Sequence, residues 1–250
     1  MSRFENQTAV ITGAAQGIGF AIAKKLSAEG AKIWIFDREA KLAEQALETL
    51  SQGSGGAAFA NVDITDEASV ATGFSQVQEA GDTVSVMVNS AGMVGPSNMK
   101  AEEVPLDGFA TTIAVNLTGS FIMLKHALKA MVPQDYGRIL LIASIAGKEG
   151  NAGMVSYSSS KAGVIGMVKA AGKEYAETGI TINGLAPAVI RTAMVENMPE
   201  AQVKYMTDKI PMKRCGTLEE VANLSAWIVS EESSFNTAFT FDLTGGRAVY

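Results

Sequence analysis

The sequence predicts an α/β fold, a single doubly wound parallel sheet of about seven strands with helices on both faces. Two observations predict it. Short apolar runs alternate with segments of helical length and period along the whole chain, and a glycine-rich turn joins the first run to the first helical segment. Strand, helix and strand in repetition make the strands parallel, since each crossover helix returns the chain to the same end of the sheet.

The expected strands are 8–12 (TAVIT), 31–37 (AKIWIFD), 57–62, 84–89 (VSVMVN), 138–144 (RILLIAS), 181–186 and 238–243. Most are β-branched or otherwise apolar throughout, which suits strands covered on both faces. Helices are expected at 17–29, 39–51, 66–79, 107–131, 155–177 and 218–230. The Gly/Ser-rich stretch 51–56 reads as a loop, so residues 1–250 form one domain. Residues 188–212 break the rhythm, with two prolines and four methionines after the sixth strand. Ligands bind outside the carboxyl ends of such strands, so this stretch is expected to be a substrate lid.

Composition narrows the function. Apolar residues make up 47% and charged residues 18% of the 250, which excludes a disordered chain. The net charge of −6 offers no field to collect nucleic acid or an anionic membrane. No apolar run is long enough for a membrane-spanning helix. One cysteine and one histidine exclude a thiolate cluster and a multi-histidine metal site, so no metal is expected. His126 lies in a helical run and reads as a surface or interface residue. The polar N-terminus does not resemble a signal peptide, and the expected compartment is the cytoplasm.

The first strand runs into TGAAQGIG at 12–19. Gly13 permits a tight turn, while Gly17 and Gly19 let the helix begin close to both a phosphate and the strand. Gln16 and Ile18 lie in the same turn, where amides at a helix N-terminus attract anionic phosphate. Asp37 ends the second strand and could accept the hydroxyls of an adenosine ribose while repelling a 2′-phosphate. NAD is therefore expected over NADP; Arg38 beside it is the residue that could turn toward a 2′-phosphate. The other reading of Asp37 is a helix N-cap.

Tyr157-Ser-Ser-Ser-Lys161 sets a phenol and an ammonium one helical turn apart, on one face. A nearby cation favours phenolate, which would let Tyr157 exchange a proton with a carbinol or carbonyl oxygen. Alone, the pair is also what an ordinary surface helix contains. Ser144 ends the fifth strand, Asn116 interrupts an upstream helix, and Asn89-Ser-Ala-Gly92 closes the fourth strand.

With TGAAQGIG, VDI at 62–64, NSAG at 89–92, VN at 115–116, Ser144, YSSSK and a final DLTGG in order, the sequence resembles the short-chain dehydrogenase/reductase family over essentially its whole length. The resemblance implies a Rossmann-type fold and hydride transfer between nicotinamide and a secondary alcohol or ketone. It makes Tyr157 the acid/base, and Lys161 its pKa modulator and a ligand of the nicotinamide ribose. Ser144 would hydrogen-bond the reacting oxygen, and Asn116 would hold a relay water by its main chain. Asp63 and Ile64 would border the adenine. Asn89, Ala91 and Gly92 would line the adenosine and ribose, and Pro187, Ile190 and Thr192 would seat the carboxamide. The family's usual Pro-Gly after the sixth strand is here Pro187-Ala188, which bears on the lid hinge. The resemblance also implies a homotetramer whose helices 107–131 and 155–177 pair across a two-fold axis.

Stretches 144–154, 209–221 and 234–250 are similar to members acting on 2-keto-3-deoxy sugar acids of the L-fuconate and L-rhamnonate type, and also to chains labelled 3-oxoacyl carrier-protein reductase. The expected substrate is thus a small secondary alcohol or ketone, a deoxy-sugar acid first. Lys148 could pair with its carboxylate or stand solvated without a role, and Asn151 lies on the same loop. The tail 247–250 could reach a neighbouring active site or cover apolar surface. A dinucleotide-binding protein without turnover is the remaining reading, set against the complete Asn116, Ser144, Tyr157 and Lys161 set.

Overall fold

The computed structural model describes residues 2–248. Seven strands form one parallel sheet in the order β3-β2-β1-β4-β5-β6-β7. They are β1 (Thr8–Thr12), β2 (Lys32–Asp37), β3 (Ala57–Asn61), β4 (Val84–Asn89), β5 (Gly137–Ile142), β6 (Ile180–Pro187) and β7 (Thr240–Leu243). Strands β1, β4, β5 and β6 are buried along their whole length. That burial explains why they read as continuous apolar runs rather than alternating ones.

Alternate side chains serve opposite faces. Val10 and Met87 join a core with Phe36, Phe74, Met123 and Val164, and Ala9, Ile11, Val86 and Val88 join a second core with Ile22, Leu26, Val221 and Ile228. The two layers are built from α1 (Gly17–Ala28), α2 (Ala40–Leu50), α3 (Glu67–Glu79), α4 (Leu106–Ile113), α5 (Gly119–Met131), α6 (Ile145–Glu149), α7 (Val155–Glu174), α8 (Ala193–Glu196), α9 (Glu200–Asp208) and α10 (Leu218–Ile228). No helix among the described residues is long and apolar enough to cross a membrane.

The strand order reverses between β1 and β4, which opens a crevice beyond their carboxyl ends. Three differences from the sequence reading lie around it. The helix expected over 107–131 is two helices joined by a π-helical turn, Ala114–Thr118, with Asn116 at its centre. A wide turn keeps helical hydrophobic spacing, so periodicity does not reveal it. The loop after Ser144 contains α6, and the stretch 188–212 expected as a lid contains α8 and α9. These are too short or too polar to stand out in a periodic pattern.

Candidate active site

The glycine-rich turn forms the floor of the crevice. Gly13 has φ +62° and Gly17 has φ +59°, both in the left-handed region. A Cβ on Gly13 would lie 3.0 Å from the Ala91 backbone, and one on Gly19 would collide with the Gly13 carbonyl. The space beside Gly17 is open, with nothing within 4 Å of a Cβ built there. Helix α1 begins at this opening. Its N-cap Gln16 makes no side-chain cap, and no acid lies in its first turn. Its first amides thus point into the crevice without a side-chain acceptor, a cradle that suits a pyrophosphate. Ile18 packs from α1 onto the second core.

Asp37 closes the side of this cradle. Its carboxylate accepts from the Ala15 amide at 3.2 Å and from the Glu39 amide at 3.1 Å, so it is turned toward the glycine-rich turn. Arg38 leans on Glu39 at 3.7 Å and is largely exposed. Asp63 accepts from the Thr65 hydroxyl at 2.7 Å and the Thr65 amide at 2.8 Å. Those bonds, with a smaller effect of the Arg38 charge, hold its carboxyl below the usual range. Ile64 is buried, its side chain filling the space that Gly119 leaves at the start of α5.

Several expected contact residues face inward. Asn89 is buried: its Oδ1 accepts from Thr12 Oγ1 at 2.7 Å and its Nδ2 donates to Ser120 Oγ at 2.8 Å. Thr12 Oγ1 in turn accepts from the Ser90 and Ala91 amides, both at 3.0 Å. The Asn89 side chain therefore ties β1 to β4, while the part-exposed Ala91 lies against Gly13 and the exposed Gly92 near Asn116 and Lys161. Pro187 and Ile190 are buried, and Ile190 bridges to Gly216, so the Ile190 side chain belongs to the core. Thr192 is the uncapped, part-exposed N-cap of α8.

The tetrad residues converge where β4, β5 and α7 meet. Asn116 is fully buried, with Oδ1 accepting from the Met93 amide at 2.8 Å and Nδ2 donating to the Met93 carbonyl at 2.8 Å and to Ser160 Oγ at 3.0 Å. Its own carbonyl accepts from Ser120 Oγ at 2.6 Å. Ser144 caps α6, accepting from the Ala146 amide at 3.1 Å, and its hydroxyl lies near enough to the Tyr157 phenol to temper its pKa. A Cβ on Gly92 would lie 3.1 Å from Asn116 Oδ1 and 3.5 Å from Lys161 Nζ. That spacing brings the NSAG turn, Asn116 and Lys161 together.

The electrostatic expectation for Tyr157 needs correction. Lys161 does share a helix face with it, but Nζ lies 5.8 Å from the ring centroid and donates to the Ile142 carbonyl at 2.7 Å. Burial pushes the phenol above its ordinary range, and the Ser144 hydrogen bond pulls it down in part. Burial also lowers the Lys161 ammonium to about 8. Desolvation dominates both groups.

A second correction concerns Lys148. Rather than standing solvated or facing a substrate carboxylate, its side chain is buried and pairs with Asp242 at 2.8 Å. Asn151 keeps its place beside the crevice loop, its amide donating to Ser158 Oγ at 3.0 Å, one residue beyond Tyr157. From the tail, Arg247 pairs with Glu149 and donates to Asn151 Oδ1 at 3.0 Å within the same chain; residues 249–250 lie outside the described residues. Sequence reading missed Thr12, Ser120, Asp242 and Glu149 as parts of this region, because their partners are distant in the chain and no local pattern marks them. No cluster of three or more metal-ligating side chains occurs among the described residues.

A family model described as enoyl-(acyl carrier protein) reductase matches residues 13–247. The chain is 38% identical to the 2-dehydro-3-deoxy-L-rhamnonate dehydrogenase (NAD(+)) of Sphingomonas sp. (strain SKA58), over 99% of this chain and 98% of that one. It is 34% identical to the 3-oxoacyl-acyl-carrier-protein reductase of Escherichia coli (strain K12), over 97% of this chain and 98% of that one. The structure of an NAD+-bound xylitol dehydrogenase superposes with a TM-score of 0.92 at 29% identity, covering 97% of this chain and 99% of that chain. With the ordered motifs and the tetrad brought together beside an open phosphate cradle, the chain belongs to the short-chain dehydrogenase/reductase family.

Proposed function

We propose that the protein is an NAD-dependent oxidoreductase acting on a secondary carbinol, a 2-keto-3-deoxy sugar acid in the first instance. The observation that carries the reading is the buried Lys161, held on the Ile142 carbonyl and close to Asn116 at the Gly92 turn, with Tyr157 on the same helix face beside the Ser144 hydroxyl and the open turn at Gly13 and Gly17 nearby. The 38% relative supports the substrate class and the cofactor. Asp37, turned toward the cradle, supports NAD over NADP.

The cradle amides of Gly17, Ile18 and Gly19 would hold the pyrophosphate, and Asp37 the adenosine ribose. Bound there, the nicotinamide supplies the hydride acceptor for oxidation or the donor for reduction. Ser144 orients the carbinol oxygen. Tyr157 removes its proton as the C–H hydride departs, and returns one in the reverse direction. Lys161, held on the Ile142 carbonyl, keeps a cation within reach of the developing phenolate.

The expected homotetramer is supported by an apolar groove of about 550 Å³ between α5 and α7, lined by Phe121, Leu124, Leu128, Val132, Met167 and Tyr175. Lys125 and Lys129 flank it on α5 and Glu174 on α7, charges that a two-fold copy could pair.

The test is turnover of a panel of sugar acids, neutral secondary alcohols and 3-oxoacyl thioesters with NAD and NADP, read by absorbance of the reduced cofactor. Wild type is expected to oxidise a deoxy-sugar acid with NAD, and Tyr157→Phe to lose that activity while still binding NADH. Turnover surviving in Tyr157→Phe rejects the acid/base assignment. Activity with 3-oxoacyl thioesters alone replaces the sugar-acid reading with the reductase reading that the 34% relative favours.

A further inference from the structure

Strand β7 and the segment after it touch both sides of the substrate cleft. On one side lies the loop that joins Ser144 to Tyr157. Asp242 pairs with Lys148 at 2.8 Å. Arg247 reaches the same loop with two nitrogens on Glu149 Oε2, Nε at 2.9 Å and Nη2 at 2.7 Å, and with Nη2 on Asn151 Oδ1 at 3.0 Å. On the other side lies the carboxyl end of the lid. The Met212 amide donates to the Gly245 carbonyl at 3.2 Å. Gly245 has φ +59° and lies so close to Ile210 that a Cβ would stand 2.7 Å from it; Gly246 lies against Pro211. The helix α9 directly precedes this edge in the chain. There the Tyr205 phenol is held below its ordinary range chiefly by a hydrogen bond from Lys209, with a smaller effect of the Arg247 charge.

The Arg247 side chain is only 9% exposed and Glu149 30%, so this pair is shielded in a way that ordinary surface pairs are not. A guanidinium that grips a carboxylate and an amide oxygen together fixes direction as well as distance. What it fixes is close to the chemistry. Asn151 is bonded by its amide to Ser158, beside Tyr157, and Glu149 ends the helix that Ser144 caps.

We propose that Arg247 is a positioning residue for substrate capture: it straps the 149–151 loop to the C-terminal segment, and through Gly245 couples that loop to the closing edge of the lid. It touches neither cofactor nor reacting atoms. Its effect is felt in the substrate's half of the cleft, while the phosphate cradle lies on the other half of the sheet. The inference deepens the dehydrogenase reading and rests on it for the kinetic outcome alone.

The experiment uses the full chain with Arg247→Ala, and Glu149→Gln as a milder variant in case the first does not fold. Two readouts are taken. Amide hydrogen exchange is expected to speed up at least tenfold in 145–154 and in 209–213 together, with 8–19 unchanged. Steady-state kinetics on the best carbinol substrate are expected to show a five- to tenfold rise in its KM, with kcat and the Kd of NADH within twofold. Exchange that changes only at the tail, or an unchanged substrate KM in a folded variant, overturns the strap. Wild-type protein that oxidises no carbinol rejects the dehydrogenase reading, while the exchange data still decide the strap.

Discussion

The Lys161 ammonium donates to the Ile142 carbonyl at 2.7 Å, at the end of the strand that leads to Ser144, and not to the Tyr157 phenol one helical turn away. The cation is thus fixed by β5, and Ser144, just beyond that strand's end, tempers the Tyr157 phenol. The strand therefore places both the ammonium and the serine hydroxyl that act on the tyrosine.

A buried ammonium with its pKa lowered to about 8 makes the fold less stable where it is charged. Between pH 8 and the unfolded lysine value of about 10.4, the unfolded chain binds the extra proton, so this group's contribution improves as pH rises through that window. Below pH 8 the penalty is complete, roughly 3 kcal/mol from the shift alone. Lys161→Met removes it but strips the Ile142 carbonyl of its donor, a loss of about 1 kcal/mol or more. At pH 7 the variant is expected to melt a few degrees higher than wild type and to be inactive. Its advantage should shrink as pH rises from 8 to 10. Thermal melts across that range check it; a lower melting temperature at pH 7, or a constant difference, contradicts the account.

Asp37→Ala is expected to cut the ratio of kcat/KM for NAD over NADP at least tenfold. The carboxylate beside the Ala15 amide repels a 2′-phosphate, and its removal also leaves Arg38 as the nearest charge on that strand end. Paired kinetics with both cofactors measure the ratio. A ratio that does not move assigns Asp37 to holding the turn alone.

What was legible in the sequence is what is local. The apolar runs of β1, β4, β5 and β6 announce doubly covered strands, and TGAAQGIG and YSSSK are each a motif compact enough to be read from the sequence alone. The bonds that orient those groups are not local. Thr12 meets Asn89 across 77 residues, Lys148 meets Asp242 across 94, and Arg247 meets Glu149 across 98. A lysine on a loop looks the same in sequence whether it faces solvent or an aspartate on a distant strand. For the same reason helical spacing promised a Lys161–Tyr157 interaction and could not reveal that a strand carbonyl would take the ammonium.

Gly17→Ala and Gly19→Ala separate cofactor binding from folding. At Gly17 a Cβ meets nothing in the protein, and the left-handed backbone costs about 1–2 kcal/mol. The variant is expected to fold and to bind NADH at least tenfold more weakly, because the methyl enters the cradle. At Gly19 the Cβ runs into the Gly13 carbonyl, and backbone cannot yield as a side chain does. That variant is expected to be mostly insoluble. Titration of NADH fluorescence and the yield of folded protein measure the two; tight binding by folded Gly17→Ala rules out the cradle.

Ser120 connects the cradle to the π-helical turn. The Thr12 hydroxyl donates to Asn89, the Asn89 amide donates to Ser120, and Ser120 donates to the Asn116 carbonyl at 2.6 Å. All four side chains are buried, so no water replaces a missing member without cost. Ser120→Ala leaves Asn89 Nδ2 and the Asn116 carbonyl each short of a partner, about 2 kcal/mol of stability in all. If the chain served folding alone, kcat would stay constant in the surviving native molecules. If it also holds the Asn116 carbonyl for a relay water, kcat should fall about tenfold, most steeply on the acid side of the pH profile, with the NADH Kd unchanged. Ser120→Thr, which restores the hydroxyl on the same backbone, should recover most of kcat. Loss of stability with an unaltered pH profile and kcat would confine Ser120 to the scaffold.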